Sequence, residues 1–204
     1  MNRYRFTLTQ FAIAFISFGV LLCAALLYAE VTPDVGFWRT VYTIWVTAAL
    51  VTPALCAFAL PQTERTRAVW LLWWTFSFIA YIVHMLYAVF YVYEGSFQKF
   101  LAGQGIFPAV NNAIFTAWWA LDVALAWFYK LEARWVHLQR VWGHWYIGLT
   151  FVASTVFLKH GFINVIGVIL TVSTAICIMI RIDARRRAGA GAKVAEPALQ
   201  PNVT

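Results

Sequence analysis

Charge is what this sequence has least of. Asp, Glu, Lys and Arg together make up 11% of its 204 residues, against about 25% in a soluble globular domain. A water-facing surface over the whole molecule is excluded by that shortage. Cysteine is scarce as well. Cys23, Cys56 and Cys177 are odd in number and share no short spacing, which rules out a disulfide framework and a zinc-finger pattern. All three lie among apolar residues and read as packing side chains. The sequence has no Walker A loop, no GxGxxG, no HExxH and no CxxCH. Without these phosphate, dinucleotide, zinc and c-haem signatures, a self-contained enzyme loses support. No internal repeat is evident, so an inverted-repeat transporter built from three helices plus three gains none either.

What fills the chain instead is apolar. Hydrophobic residues account for 63% and aromatics for 18%. They gather into six runs, at 5–29, 37–60, 68–93, 108–129, 141–158 and 162–182. A helical bilayer crossing needs about 20 apolar residues. Only helices or closed barrels can cross, because lipid satisfies no backbone N–H or C=O. Continuous runs of this length give helices rather than the alternating pattern of a barrel strand. The expected fold is therefore all-α: a polytopic bundle of six membrane-spanning helices over residues 1–182, with a basic tail over 183–204. The first run, though preceded by Arg3 and Arg5, is too long for the ~7–15-residue core of a signal peptide and reads as a retained helix.

The net charge of +7 has a topological explanation that displaces nucleic-acid binding. Arg3 and Arg5 precede the first run, and Arg65 and Arg67 separate the second from the third. Lys130, Arg134 and Arg140 separate the fourth from the fifth, while Arg181, Arg185, Arg186, Arg187 and Lys193 follow the sixth. The intervening connections hold only Arg39, Lys99 and Lys159. Alternate connections are thus basic, as the positive-inside rule demands of an even number of spans. Both termini are expected in the cytoplasm, with the bundle in a bacterial-type inner membrane.

The connections carry further signals. Thr52-Pro53 predicts a kink in the second helix, and Thr63 or Thr66 a cap for the third. Phe97, Phe100 and Leu101 share a helical face, which predicts a short interfacial helix before Gly103 and Gly105. Leu131, Trp135 and Leu138 recur at i, i+4 and i+7 among charged residues. That pattern predicts an amphipathic segment over 130–140 resting on anionic headgroups. Lys159-His160-Gly161 predicts a tight turn. Asn164, Gly167, Thr171 and Thr174 form a small, hydroxylated stripe suited to close helix contact. The tail, poor in apolar residues, is expected to be disordered by itself.

Ionisable residues at membrane depth are costly and point to function. Two stand out: His84 in the third run and Asp122 in the fourth. Ser77, Tyr81 and Tyr91 share the face of His84; Asn111, Phe115, Trp118 and Ala126 share that of Asp122. At 1.5 Å per residue the two groups come within about one to two turns of each other in depth. They are read as an intramembrane polar centre of His84, Asp122, Tyr81, Asn111 and Trp118. Within it His84 and Asp122 either pair, relaying a proton or holding a cation, or each binds a neighbouring polar side chain and fixes packing.

Among the four histidines, His84, His137, His144 and His160, no two fall at matching depth on facing helices, so a bis-His haem is disfavoured. No metal centre is expected. Trp38, Trp70, Trp135, Trp142 and Trp145 lie near helix ends, where aromatic belts belong. Trp118 and Trp119 lie near the depth of His84, where a quinone, lipid or isoprenoid tail would find an aromatic pocket.

Three function classes remain. A non-catalytic integral subunit or assembly factor of a larger membrane complex fits the absent motifs and ranks first. A small proton, ion or solute transporter using His84 and Asp122 is the alternative. A quinone- or lipid-binding membrane redox or lipid-modifying enzyme is the third. The bilayer and other membrane proteins are the expected partners, not nucleic acid.

Overall fold

The computed structural model describes residues 4–129, 133–158 and 161–195, with 189–195 as helical backbone alone. The chain forms α1 (Leu8–Ala29), α2 (Val35–Ala59), α3 (Glu64–Tyr87), α4 (Phe97–Gln104), α5 (Ile106–Phe128), α6 (Arg134–Val152) and α7 (Phe162–Ala195). Two helices widen to π-type hydrogen bonding at one end, α3 through Ala88–Val92 and α6 through Ala153–Leu158. α1, α2, α7 and the extended α3 and α6 are long and apolar enough to cross a membrane. The remaining expected crossing, α5, has 23 residues but stands outside that group, because Pro108, Asn111, Asn112 and Asp122 dilute its apolar character. The protein is a polytopic transmembrane helical bundle.

Local chemistry sets the helix boundaries. Thr7 and Gln10 form a reciprocal capping box on α1, and Thr63 and Thr66 do the same on α3. Asp34 accepts from the Phe37 amide at the start of α2, and Ser96 from the Lys99 amide at the start of α4. Each satisfies an amide that has no partner inside the helix. Pro61 follows the end of α2, and Gln62 Nε2 donates to the last carbonyls, at Ala57, Phe58 and Leu60. Pro53 lies inside α2, where Thr52 Oγ1 turns back to the Ala48 carbonyl. The predicted interfacial segment is the helix α4; Gly105, at φ 81°, rather than Gly103, ends it.

α2 is the centre of the bundle. Its apolar window is 56% buried against 11% for α1, so α1 lies at the periphery, packed on α2 and α3 through Ala14, Ala25 and Ala29. The main core joins α2, α3, α5, α6 and α7 around Trp74, Trp119, Ile147 and Leu170. Buried hydroxyls answer to their own helices: Thr47 to the Thr43 carbonyl, Ser77 to that of Trp73.

Two residues of the predicted stripe on α7, Asn164 and Gly167, make a close helix contact, while Thr171 and Thr174 do not. A Cβ at Gly167 would stand 2.3 Å from Thr155 Oγ1 on the widened end of α6, and Asn164 Nδ2 donates to the Thr155 carbonyl at 2.7 Å. α6 and α7 are therefore pressed together at that end.

Two boundaries differ from expectation. α7 continues through Ala195 instead of ending at 182. Ala and Arg are good helix formers, and Arg187 pairs with Asp183 one turn earlier at 2.7 Å. α6 begins at Arg134, so most of the segment expected to lie flat on headgroups belongs to a bundle helix. Leu131 of that segment, and Lys159 and His160 of the predicted turn, lie outside the described residues.

Candidate functional site

Asp122 on α5 is 1% exposed and reaches toward α6 rather than α3. Its Oδ1 accepts from Arg140 Nε at 3.0 Å and from Gln139 Nε2 at 2.7 Å. Arg140 is 7% exposed. Its Nη1 donates to the Tyr4 hydroxyl at 3.1 Å, and its guanidinium lies 4.7 Å over the Trp70 ring. The ion pair thus ties α5, α6, α3 and the N-terminal segment together. Arg140 Nη2, Asp122 Oδ2 and Thr174 Oγ1 are buried without a hydrogen-bond partner. A buried polar group left unmet costs about 1–3 kcal/mol, more when charged.

One turn along α6, His144 is 3% exposed. Trp70 Nε1 donates to its Nε2 at 2.7 Å, and its Nδ1 lies 2.7 Å from the Arg140 carbonyl. An indole N–H only donates and a carbonyl only accepts, so the proton sits on Nδ1 and the ring is neutral. Its 4.0 Å approach to Asp122 Oδ2 is therefore not an ion pair. Phe58 and Trp74 sandwich the imidazole, with ring centroids at 3.9 and 4.0 Å and interplanar angles of 17°.

The five residues expected to form one centre divide into two groups. Trp118 and Asn111 join the α5–α6 side. Trp118 Nε1 donates to Gln139 Oε1 at 3.2 Å and its ring stacks on Tyr146, whose hydroxyl donates to Asn111 Oδ1 at 2.5 Å. Tyr81 and His84 lie apart. The Tyr81 hydroxyl pairs with Thr116 at 3.1 Å, and His84 Nδ1 donates to the Thr40 carbonyl of α2 at 2.8 Å. His84 and Asp122 share no hydrogen bond. A ladder of rings separates them, running from His144 to Trp74, to Trp119 at 4.8 Å, and to Tyr81 at 5.6 Å.

Sequence reasoning missed Arg140, Gln139, His144, Tyr4 and Trp70. Arg140 reads as a loop charge but is buried, and Trp70 reads as a belt residue but is 2% exposed. One signal was present: Val136, Arg140, Gly143, His144, Ile147 and Phe151 recur at helical spacing, and all are buried. Trp135 and Leu138, on the predicted amphipathic face, point outward at 51% and 46% exposure.

Beside this centre a cleft of about 910 Å³ opens between α2, α6 and α7. Pressed together at Thr155 and Gly167, α6 and α7 leave room toward the end that carries Tyr4. Leu55, Gly148, Leu149, Val152 and Leu170 are among its apolar lining residues. Arg67, Arg140, Arg181 and Arg185 line it as well, with His137 and His144. Arg181 also donates to the Phe58 carbonyl at the end of α2, at 3.3 Å. Among the described residues no group of three or more His, Cys, Asp or Glu is placed to hold a metal ion. Comparison with protein-family models, curated proteins and solved structures found no match for this chain.

Proposed function

We propose that this protein binds a membrane amphiphile in the cleft between α2, α6 and α7. This is the lipid- or quinone-binding class left open by the sequence, without an assigned reaction. The observation that carries it is one cleft lined both by apolar side chains and by a group of arginines. Its volume lies within the ~300–1,000 Å³ of small-molecule sites. The transporter reading loses the paired His84 and Asp122 on which it rested, since each has other partners. A second reading, an integral subunit or assembly factor with membrane-protein partners, draws on α7. That helix continues past the bundle with Asp183, Arg185 and Arg187 exposed.

The orientation belongs to the same proposal. With α5 counted as the sixth crossing, the end bearing Tyr4, Arg67, Arg181 and Arg185 is cytoplasmic, in a bacterial-type inner membrane, and both termini lie on that side. The alternating basic connections support it.

The test fills the cleft. Gly148 lines it, and a Cβ there meets only Leu55, at an ordinary 3.5 Å. Native mass spectrometry of the protein released from gently purified micelles should show one amphiphile per chain, and Gly148→Trp should lose it. A folded protein that retains nothing, or retention unchanged by Gly148→Trp, would overturn the proposal.

A further inference from the structure

The amphiphile reading leaves the chemistry of the headgroup open, and on that reading the cleft itself points to an answer. Arginine is the commonest ionised side chain along its wall: Arg67 from α3, Arg140 from α6, and Arg181 and Arg185 from α7. Among the described residues no carboxylate lines it. Asp122, the nearest acid to Arg140, sits behind that residue with Oδ1 already accepting two hydrogen bonds. Arg140 is already paired with Asp122, but a neutral headgroup would leave Arg67, Arg181 and Arg185 uncompensated.

Unmet donors sharpen the point. The Arg140 side chain is 9% exposed; Nε binds Asp122, Nη1 binds Tyr4, and Nη2 has no partner although the residue lines the cleft. Thr174 on the facing helix α7 also lines the cleft, and its Oγ1 is buried without a partner. A guanidinium with a free N–H in a water-poor site is suited to a phosphate oxygen, and arginine binds phosphate through its planar fork of donors. A quinone carbonyl would accept one hydrogen bond without answering the charge. Free phosphate would answer the charge and leave the apolar lining of the cleft uncovered.

We infer that the occupant is a net-anionic phospholipid. Its phosphate is held by Arg140 with Arg67, Arg181 and Arg185, and an acyl chain lies along Leu55, Gly148, Leu149 and Leu170.

The test is a headgroup titration on delipidated protein in a neutral detergent, read by native mass spectrometry and tryptophan fluorescence. The probes are phosphatidylglycerol, phosphatidylcholine with the same acyl chains, a ubiquinone analogue and inorganic phosphate. One phosphatidylglycerol should bind per chain, at least tenfold more tightly than phosphatidylcholine or the quinone. Inorganic phosphate should not compete at millimolar concentration. Arg67→Gln and Arg181→Gln should each weaken phosphatidylglycerol severalfold and leave phosphatidylcholine unchanged. Arg140→Lys, which keeps a cation for Asp122 but removes the fork, should weaken it further. Should the Arg140 variant fail to fold, the Arg67 and Arg181 variants still decide the matter. Equal affinity for both phospholipids, or tighter binding of the quinone, overturns the anionic headgroup and leaves the amphiphile cleft standing. Competition by phosphate alone overturns the acyl chain. Failure of every amphiphile to bind the folded protein overturns the cleft reading itself.

Discussion

Arg140 and Asp122, 18 residues apart in sequence, meet through a 3.0 Å contact between Nε and Oδ1 in a place closed to water. Burying two charges is costly even when they pair, and removing one partner typically costs about 3–5 kcal/mol because the other stays behind uncompensated. Asp122→Ala should therefore lower the thermal midpoint in detergent markedly. The double variant Asp122→Leu with Arg140→Met should recover most of the loss, since it leaves no lone charge. Thermal melts of both single variants and the double decide it. A double variant no better than Asp122→Ala would show that the pair is not coupled.

Glycines divide by what surrounds them. A Cβ at Gly167 would stand 2.3 Å from Thr155 Oγ1 and 2.8 Å from Thr155 Cβ, whereas one at Gly19 meets nothing within 4 Å. Overpacking costs about 1–3 kcal/mol. Gly167→Ala should destabilise the bundle and Gly167→Val more so. Gly19→Ala should be neutral or gain up to about 1 kcal/mol from helix propensity. Melting curves of the three variants make the comparison.

Cys177 on α7 and Cys56 on α2 are neighbours where the two helices pack, while Cys23 lies exposed on α1. Oxidation by copper phenanthroline should therefore join Cys56 to Cys177 within one chain. Proteolysis followed by mass spectrometry should find that cross-linked peptide and none containing Cys23 from the same chain. Its absence under conditions that oxidise Cys23 between chains would contradict the packing of α2 on α7.

Orientation is checked by single cysteines in a background free of native ones. A membrane-impermeant maleimide added to intact cells should label a cysteine placed at Gln98, on exposed α4, and spare one placed at Arg187. The reverse pattern would place the arginine-lined part of the cleft on the outer face.

The helices were legible because bilayer thickness writes itself into a sequence as length. The cap at Thr63 is local and equally readable. Asp122 was also legible, because a carboxylate within an apolar run has few innocent explanations. Its partner was not. Arg140 sits among Lys130, Arg134 and His137, where a cation is ordinarily a topology signal. Only the buried repeat through His144 and Phe151 distinguishes it. Pairing His84 with Asp122 rested on depth alone, and depth says nothing of azimuth. His84 turns toward the Thr40 carbonyl and Asp122 toward α6. The cleft was beyond reach for a related reason. It follows from how α6 and α7 approach at Gly167 and Thr155, which is a property of two helices together.

The ring sandwich around His144 makes the protein its own optical probe. Trp74 is held against His144 at 4.0 Å and against Trp119 at 4.8 Å, in a fixed asymmetric arrangement. Two indoles locked at that distance couple their transitions and give near-ultraviolet circular dichroism that freely rotating tryptophans average away. The surface tryptophans Trp135, Trp142 and Trp145 contribute emission but little of that signal. Integrity of the polar centre can thus be followed in unlabelled protein, separately from the helix content reported in the far ultraviolet.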